Sequence, residues 1–141
     1  MVQRLIDQMS AERSARIPDF TPSGGSPVEA SDFVAPAGVF LVAAREGEAV
    51  GCAGLRRLGP GVGEIKRLFV SPPARGLAIA RRLLEALEHR AEALGYGTLR
   101  LDTHGGEPAA LALFRGRGYY PIEDYNGNPY ARHWFERRIR Q

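Results

Sequence analysis

Arg75, Gly76, Ala78 and Ala80 stand together immediately before an amphipathic run, and that grouping suits the binding of an anion. The first N–H groups of a helix lack internal partners and carry the positive end of its dipole, so a phosphate seats there. Small side chains let the anion approach, and Arg75 adds a forked donor set. The segment lacks the terminal Gly-Lys-Ser/Thr of a P-loop and the GxGxxG of a dinucleotide fold. Other residues with reactive side chains occur singly. Three isolated histidines, His89, His104 and His133, have no metal-ligand spacing, so no metal is expected. His89 falls on the solvent side of a helix and His133 in a strand, whereas His104 lies in a loop where a substrate could meet it. Cys52, in an apolar strand, reads as inert core.

The elements around this grouping are well marked. Glu64 to Val70 reads as a strand, and Ser71-Pro72-Pro73 ends its ladder because two prolines remove two donors. Leu77, Ala80, Leu84, Leu87, Ala91 and Leu94 then recur at helical spacing, with Gly95 as the stop. Upstream, residues 2–17 read as a helix with Leu5, Ile6 and Met9 in phase. A Pro/Gly/Ser loop follows over 18–27, and Val28–Pro36 is ambiguous, with a short helical turn over Val28–Phe33 as one reading. Val39–Ala44 and Ala49–Leu55 form a hairpin about Gly47, and Gly59-Pro-Gly-Val-Gly63 is a turn into the Glu64 strand. Downstream come a strand (Thr98–Thr103), a short helix (Ala109–Arg117) and two strands (Tyr119–Ile122 and His133–Ile139). A polar, aromatic loop joins the last two. This order predicts an α/β (α+β) class: one mixed, mostly antiparallel sheet flanked by helices.

Arg75-Gly-Leu-Ala78-Ile-Ala80 resembles the Arg/Gln-x-x-Gly-x-Gly/Ala signature of the GNAT superfamily of N-acetyltransferases, and Glu64–Val70 resembles its fourth strand. The Gly-Tyr step at Gly118-Tyr119 and the closing Trp-Phe-Glu-Arg-Arg-Ile139 are also similar to the family's end, so the resemblance runs from about Val39 to Arg138. It implies acetyl-CoA as acetyl donor and central strands splayed to hold it. Pyrophosphate contacts would then fall to Arg75, Gly76, Leu77, Ala78, Ile79, Ala80 and Arg81. Backbone contacts to the pantetheine arm would fall to Phe69 and Val70, with the amide of Leu68 as oxyanion donor. Glu64 becomes the base candidate, against the plainer reading that it pairs with Lys66 or an arginine on the sheet. Strand alternation leaves this open: Glu64, Lys66, Leu68 and Val70 share one face unless a bulge switches it. Ala78 stands where the family prefers Gly, and a helical φ/ψ there would tolerate it. Many relatives place a proton-donating Tyr where this chain has Phe114, so Tyr125 and Tyr130 are substitute acids, with packing aromatics as the alternative. Asp102, Glu123 and Asp124 could attract a cationic amine, though solvated loop carboxylates are the favoured reading.

Composition fits one globular domain: 141 residues, 44% of them hydrophobic, a single Cys and a net charge of +3. Residues 1–38 supply a helix and loop, and the strand with which GNAT domains usually begin has no counterpart in them. No apolar run is long enough for a membrane, and the lone Cys makes a reducing cytoplasm the default location. The reading is direct acetyl transfer to a primary amine of a small molecule, amino acid or peptide, with a homodimer left open. A non-catalytic acyl-CoA-binding module is the first rival, favoured by Phe114 and Ala78. An arginine-rich nucleic-acid binder using Arg132, Arg137, Arg138 and Arg140 is the second, weakened because the arginines form no block.

Overall fold

The computed structural model describes residues 2–16, 33–34, 36–76 and 78–139. The elements in chain order are α1 (Val2–Arg16), β1 (Val39–Arg45), β2 (Glu48–Gly59), β3 (Val62–Val70), α2 (Ile79–Ala93), β4 (Thr98–Thr103), α3 (Pro108–Gly116), β5 (Tyr120–Pro121) and β6 (His133–Arg138). Six strands form one sheet in the order β1-β2-β3-β4-β6-β5. β3 and β4 are parallel, with α2 as the crossover, and the other neighbours are antiparallel. Local chemistry explains the hairpins. Glu46 and Gly47 both have positive φ, 53° and 80°, as a two-residue turn matched to strand twist requires. The β2–β3 turn is shorter than its glycines suggest, because Gly63 lies within β3 and Pro60-Gly61 makes the connection.

One face of the sheet carries the main core. Leu55, Ile65, Leu99, Leu101 and Phe135 pack there with Leu84, Leu87 and Ala91 of α2 and Phe114 of α3. On the other face, Leu5 and Met9 of α1 cover Cys52 and Phe69, and Phe33 lies over Gly54. A Cβ at Gly54 would come within 2.6 Å of that ring, so only glycine fits there. Helix α2 departs from its periodicity at its C-terminal end. Leu94 is 41% exposed because the helix has already stopped at Ala93, with Gly95 at φ 91° beyond it. Its buried face includes Glu88, which accepts from Arg117, from Arg137 at 2.8 Å and from Tyr119 at 2.9 Å.

The 18–27 loop and Leu77 lie outside the described residues, as does all of Val28–Phe33 except Phe33. Among the described residues no strand precedes α1, and β1 forms that edge of the sheet. None of the described helices is long and apolar enough to cross a membrane.

Candidate active site

β3 and β4 pair from Val62↔Thr98 to Ile65↔Leu101 and then part. Beyond that point β3 continues to Val70 and β4 to Thr103 without pairing to each other, while β3 stays bonded to β2. The cause is visible in the β2–β3 register. Cys52 faces Phe69 and Gly54 faces Lys66, so Ala53 alone opposes Arg67 and Leu68. This is a β-bulge, with Arg67 at φ 59° and its carbonyl accepting from the Cys52 thiol at 3.2 Å. The extra residue switches faces. Glu64 and Lys66 point away from the α2 side, whereas Val70 joins Ile65 in the core against α2, with Leu68 packed against it. Between the parted strands lies a cleft of about 690 Å³ reaching from α1 to α3.

One end of the cleft is the turn into α2. A 3₁₀ turn at Pro72–Ala74 follows β3, and Ala78 precedes the helix with φ 61° and ψ 19°. This corrects the helical conformation expected at Ala78: it is left-handed, which costs an L-residue about 1–2 kcal/mol and explains why glycine suits the position. The first turn of α2 has no side-chain cap and no acidic residue. Its unpaired N–H groups therefore have no side chain of the helix competing for them. Gly76, Ala78, Ile79, Ala80 and Arg81 all line the cleft. Arg75 lines it too and is held on three sides. It donates from Nε to the Val70 carbonyl at 3.0 Å, from Nη2 to Glu12 of α1 at 2.5 and 2.7 Å, and stacks 5.5 Å from the Phe69 ring. Leu68, Phe69 and Val70 form the adjoining wall. These groups fit a pyrophosphate-bearing, elongated cofactor: donors at one end and a slot between strands beyond them.

The catalytic candidates separate. Glu64 is fully buried and lies outside the cleft lining. Its carboxylate receives Arg56 Nε at 2.7 Å, Tyr125 Oη at 2.5 Å and Asn126 Nδ2 at 3.4 Å, with Lys66 Nζ 3.6 Å away. Direct contact between Glu64 and an acceptor amine is therefore absent from this geometry. Tyr125 is likewise outside the lining, and burial, then the Glu64 charge, hold its phenol above the ordinary range. A phenol so placed keeps its proton and spends it on Glu64. Tyr130, by contrast, lines the cleft. Phe114 also reaches it, but is otherwise packed against Tyr119 and Phe135.

Asp102 is not the solvated carboxylate expected from sequence. Its side chain is 6% exposed, bound by Lys66 Nζ at 2.9 and 3.0 Å and by Asn126 and Asn128 from the β5–β6 loop. Asn126 in turn accepts from Trp134 Nε1 at 3.0 Å, so the loop is pinned to the sheet by strand carboxylates. Asp124 closes that loop's own turn by accepting the amides of Asn126 and Gly127, and Glu123 is exposed. Asp102, Lys66, His104, Asn128 and Tyr130 all line the cleft, and His133 stays in β6 against Phe135.

The acetyltransferase (GNAT) family model matches residues 6–119. The chain belongs to this family. It is 43% identical over 94 residues to an IAA acetyltransferase of Azospirillum brasilense, a match covering 64% of this chain and 61% of that protein. The chain thus spans about three-fifths of that relative's length. The GNAT fold is equally plain in solved structures. A GNAT acetyltransferase from Staphylococcus aureus superposes with a TM-score of 0.84 at 16% identity, covering 98% of this chain and 92% of that one. A GNAT acetyltransferase from Elizabethkingia anophelis, solved with acetyl-CoA bound, gives 0.60 at 19% identity over 72% and 76% of the two chains. Within this GNAT chain, sequence reading missed Glu12, Lys66 and Asn128 as cleft residues. Glu12 had a signal: it falls in phase with Leu5 and Met9 on the buried face of α1.

Proposed function

We propose that this chain is an acetyl-CoA-dependent N-acetyltransferase, moving acetyl directly to a primary amine of a small molecule, amino acid or peptide. The observation that carries the reading is the parting of β3 and β4 beside an uncapped helix start, which gives a slot and an anion seat in one cleft. In this reading Arg75, Arg81 and the amides from Gly76 through Leu77, Ala78 and Ile79 to Ala80 hold the pyrophosphate. The backbone of Phe69 and Val70 bonds the pantetheine arm, and the Leu68 amide stabilises the oxyanion. Acetyl-CoA supplies the thioester. The acceptor ammonium first gives a proton to water; its nitrogen bonds the acetyl carbon, the C–S bond breaks, Tyr130 gives its proton to the thiolate, and the second nitrogen proton restores the phenol. Glu64 serves as a positioning residue: with Lys66 it orients Asp102, the carboxylate at the cleft end of that chain of contacts. Tyr130, a cleft-lining residue, is assigned as the acid that gives the thiolate a proton, and Tyr125 as the donor that holds Glu64.

A second reading, a non-catalytic acyl-CoA-binding module, is favoured by one specific pair of observations: Glu64 is sealed off, and Phe114 has no proton to give. Thiol release from acetyl-CoA across a panel of amines separates the two. Turnover with any amine supports the transferase. A raised melting temperature with acetyl-CoA but no thiol release across the panel supports the binding module, and neither effect removes both.

A further inference from the structure

Lys66 is the only lysine among the 19 lysines and arginines of the sequence, and it lines the cleft. The other basic side chains are guanidiniums, which stay protonated and offer no nucleophilic amine. The Lys66 side chain is 10% exposed and reaches from β3 to β4, where Nζ donates to both carboxylate oxygens of Asp102 at 2.9 and 3.0 Å. The Glu64 carboxylate lies 3.6 Å from the same nitrogen. Pairing of β3 and β4 ends at Ile65↔Leu101, so Lys66 and Asp102 are the first residues of the unpaired stretch on either strand. Their ion pair bridges the strands at the point where the slot begins. In the acetyltransferase reading the pantetheine arm runs from the α2 turn along Val70 and Phe69 to a thioester at the Leu68 amide, and so toward that point. Leu68 and Lys66 are two residues apart, about 7 Å of strand at ~3.3 Å per residue, which a lysine side chain spans.

We propose that Lys66 is itself an acetyl acceptor, so that the chain acetylates its own cleft lysine. The proposal rests on the acetyltransferase reading. Asp102 takes one ammonium proton along a hydrogen bond already made. The freed Nζ bonds the acetyl carbon and the C–S bond breaks. The second nitrogen proton reaches the thiolate through Tyr130, as for an external amine. The products are an amide on Lys66 and coenzyme A, and the proton held by Asp102 leaves to water. An amide does not pass its acetyl group on as a thioester does, so each chain reacts once. The modification also removes the cation that Asp102 and Glu64 share, leaving Asp102 to the amides of Asn126 and Asn128. Self-acetylation therefore changes the charge of the cleft in response to acetyl-CoA.

The test incubates the parent chain with acetyl-CoA and no amine, cuts it at arginine and locates acetyl groups by mass spectrometry. The same chain unfolded in urea, at the same acetyl-CoA concentration, measures ordinary chemical acetylation. The expected result is one acetyl group on Lys66, formed about a hundredfold faster in the folded chain, as for reactants held together in one cleft. Excess coenzyme A, which takes the same slot, should slow the modification at least about tenfold. Acetylation of Lys66 at equal rates in the folded and unfolded chains, or at a rate indifferent to coenzyme A, overturns the proposal. An unmodified Lys66 overturns it too. Thiol release across the amine panel then leaves the transferase reading standing, and no thiol release overturns that reading as well.

Discussion

The two halves of the β3–β4 seam are made from the same two strands and serve opposite ends. In the first half, Val62 to Ile65 against Thr98 to Leu101, the backbone ladder is closed, and the polar side chains on its outer face are paired off, Glu64 with Arg56 and Arg100 with Glu136. In the second half the ladder is open and the polar groups line a cleft. One inserted residue at Arg67–Leu68 separates them. Closed, charged and buried gives stability that binds nothing; open, small-residued and lined by backbone gives binding at the expense of hydrogen bonds left unmade. The difference teaches that Glu64, although it lies on the strand that forms the cleft wall, belongs energetically to the closed half.

Three substitutions press on that division. The largest effect is expected from Glu64→Ala. It removes the buried carboxylate that Arg56 and Tyr125 both donate to, at about 3–5 kcal/mol of stability for breaking a buried charged network. Chemical denaturation measures it, and a loss under about 1 kcal/mol would place Glu64 with the open half instead. Next comes Ala80→Glu in the open half. An acidic residue in the first turn of α2 repels the phosphates, and its favourable place at the helix start offsets part of the packing lost where Ala80 meets the core. Acetyl-CoA affinity should fall on the order of a hundredfold by titration, and retained affinity would remove the anion seat. The smallest is Ala78→Gly. Relief of the left-handed strain, less glycine's own entropy cost, should add about 0.5–1 kcal/mol, visible as a small rise in denaturation midpoint. A destabilised variant would mean that Ala78 packs in a way its exposure does not suggest.

Much of the frame was legible because its signals are local. The prolines after Val70, the heptad-like apolar spacing of α2 and the alternation of Leu99 and Leu101 each fix an element without reference to the rest of the chain. Tertiary decisions were not. Whether Glu64 faces solvent or arginine depends on Arg56, eight residues back across a hairpin, and on Tyr125 from a loop sixty-one residues on. The left-handed backbone at Ala78 is imposed by the path from the 3₁₀ turn into α2, and alanine itself gives no hint of it. Asp102 reads from sequence like Glu123 and Asp124, and only the parallel neighbour carrying Lys66 tells it apart. A bulge within Glu64–Val70 was foreseeable as one option, since neither face of that strand is purely apolar. Its position required the β2 register.

The insertion of β6 between β4 and β5 sets an order of events in time. β4 can meet β3 only after α2 has crossed over, and its other edge stays bare until the final strand arrives from Thr103↔His133 to Thr98↔Arg138. Pairings of such sequence separation are slow to form, because the chain between them must be closed first. During that interval Thr98–Thr103 offers a strand with Leu99 and Leu101 on one side and an unsatisfied row of amides on its edge. A polypeptide cut before His133 would hold that edge open permanently, and neighbouring chains, rather than acetyl-CoA, would be the first to find it.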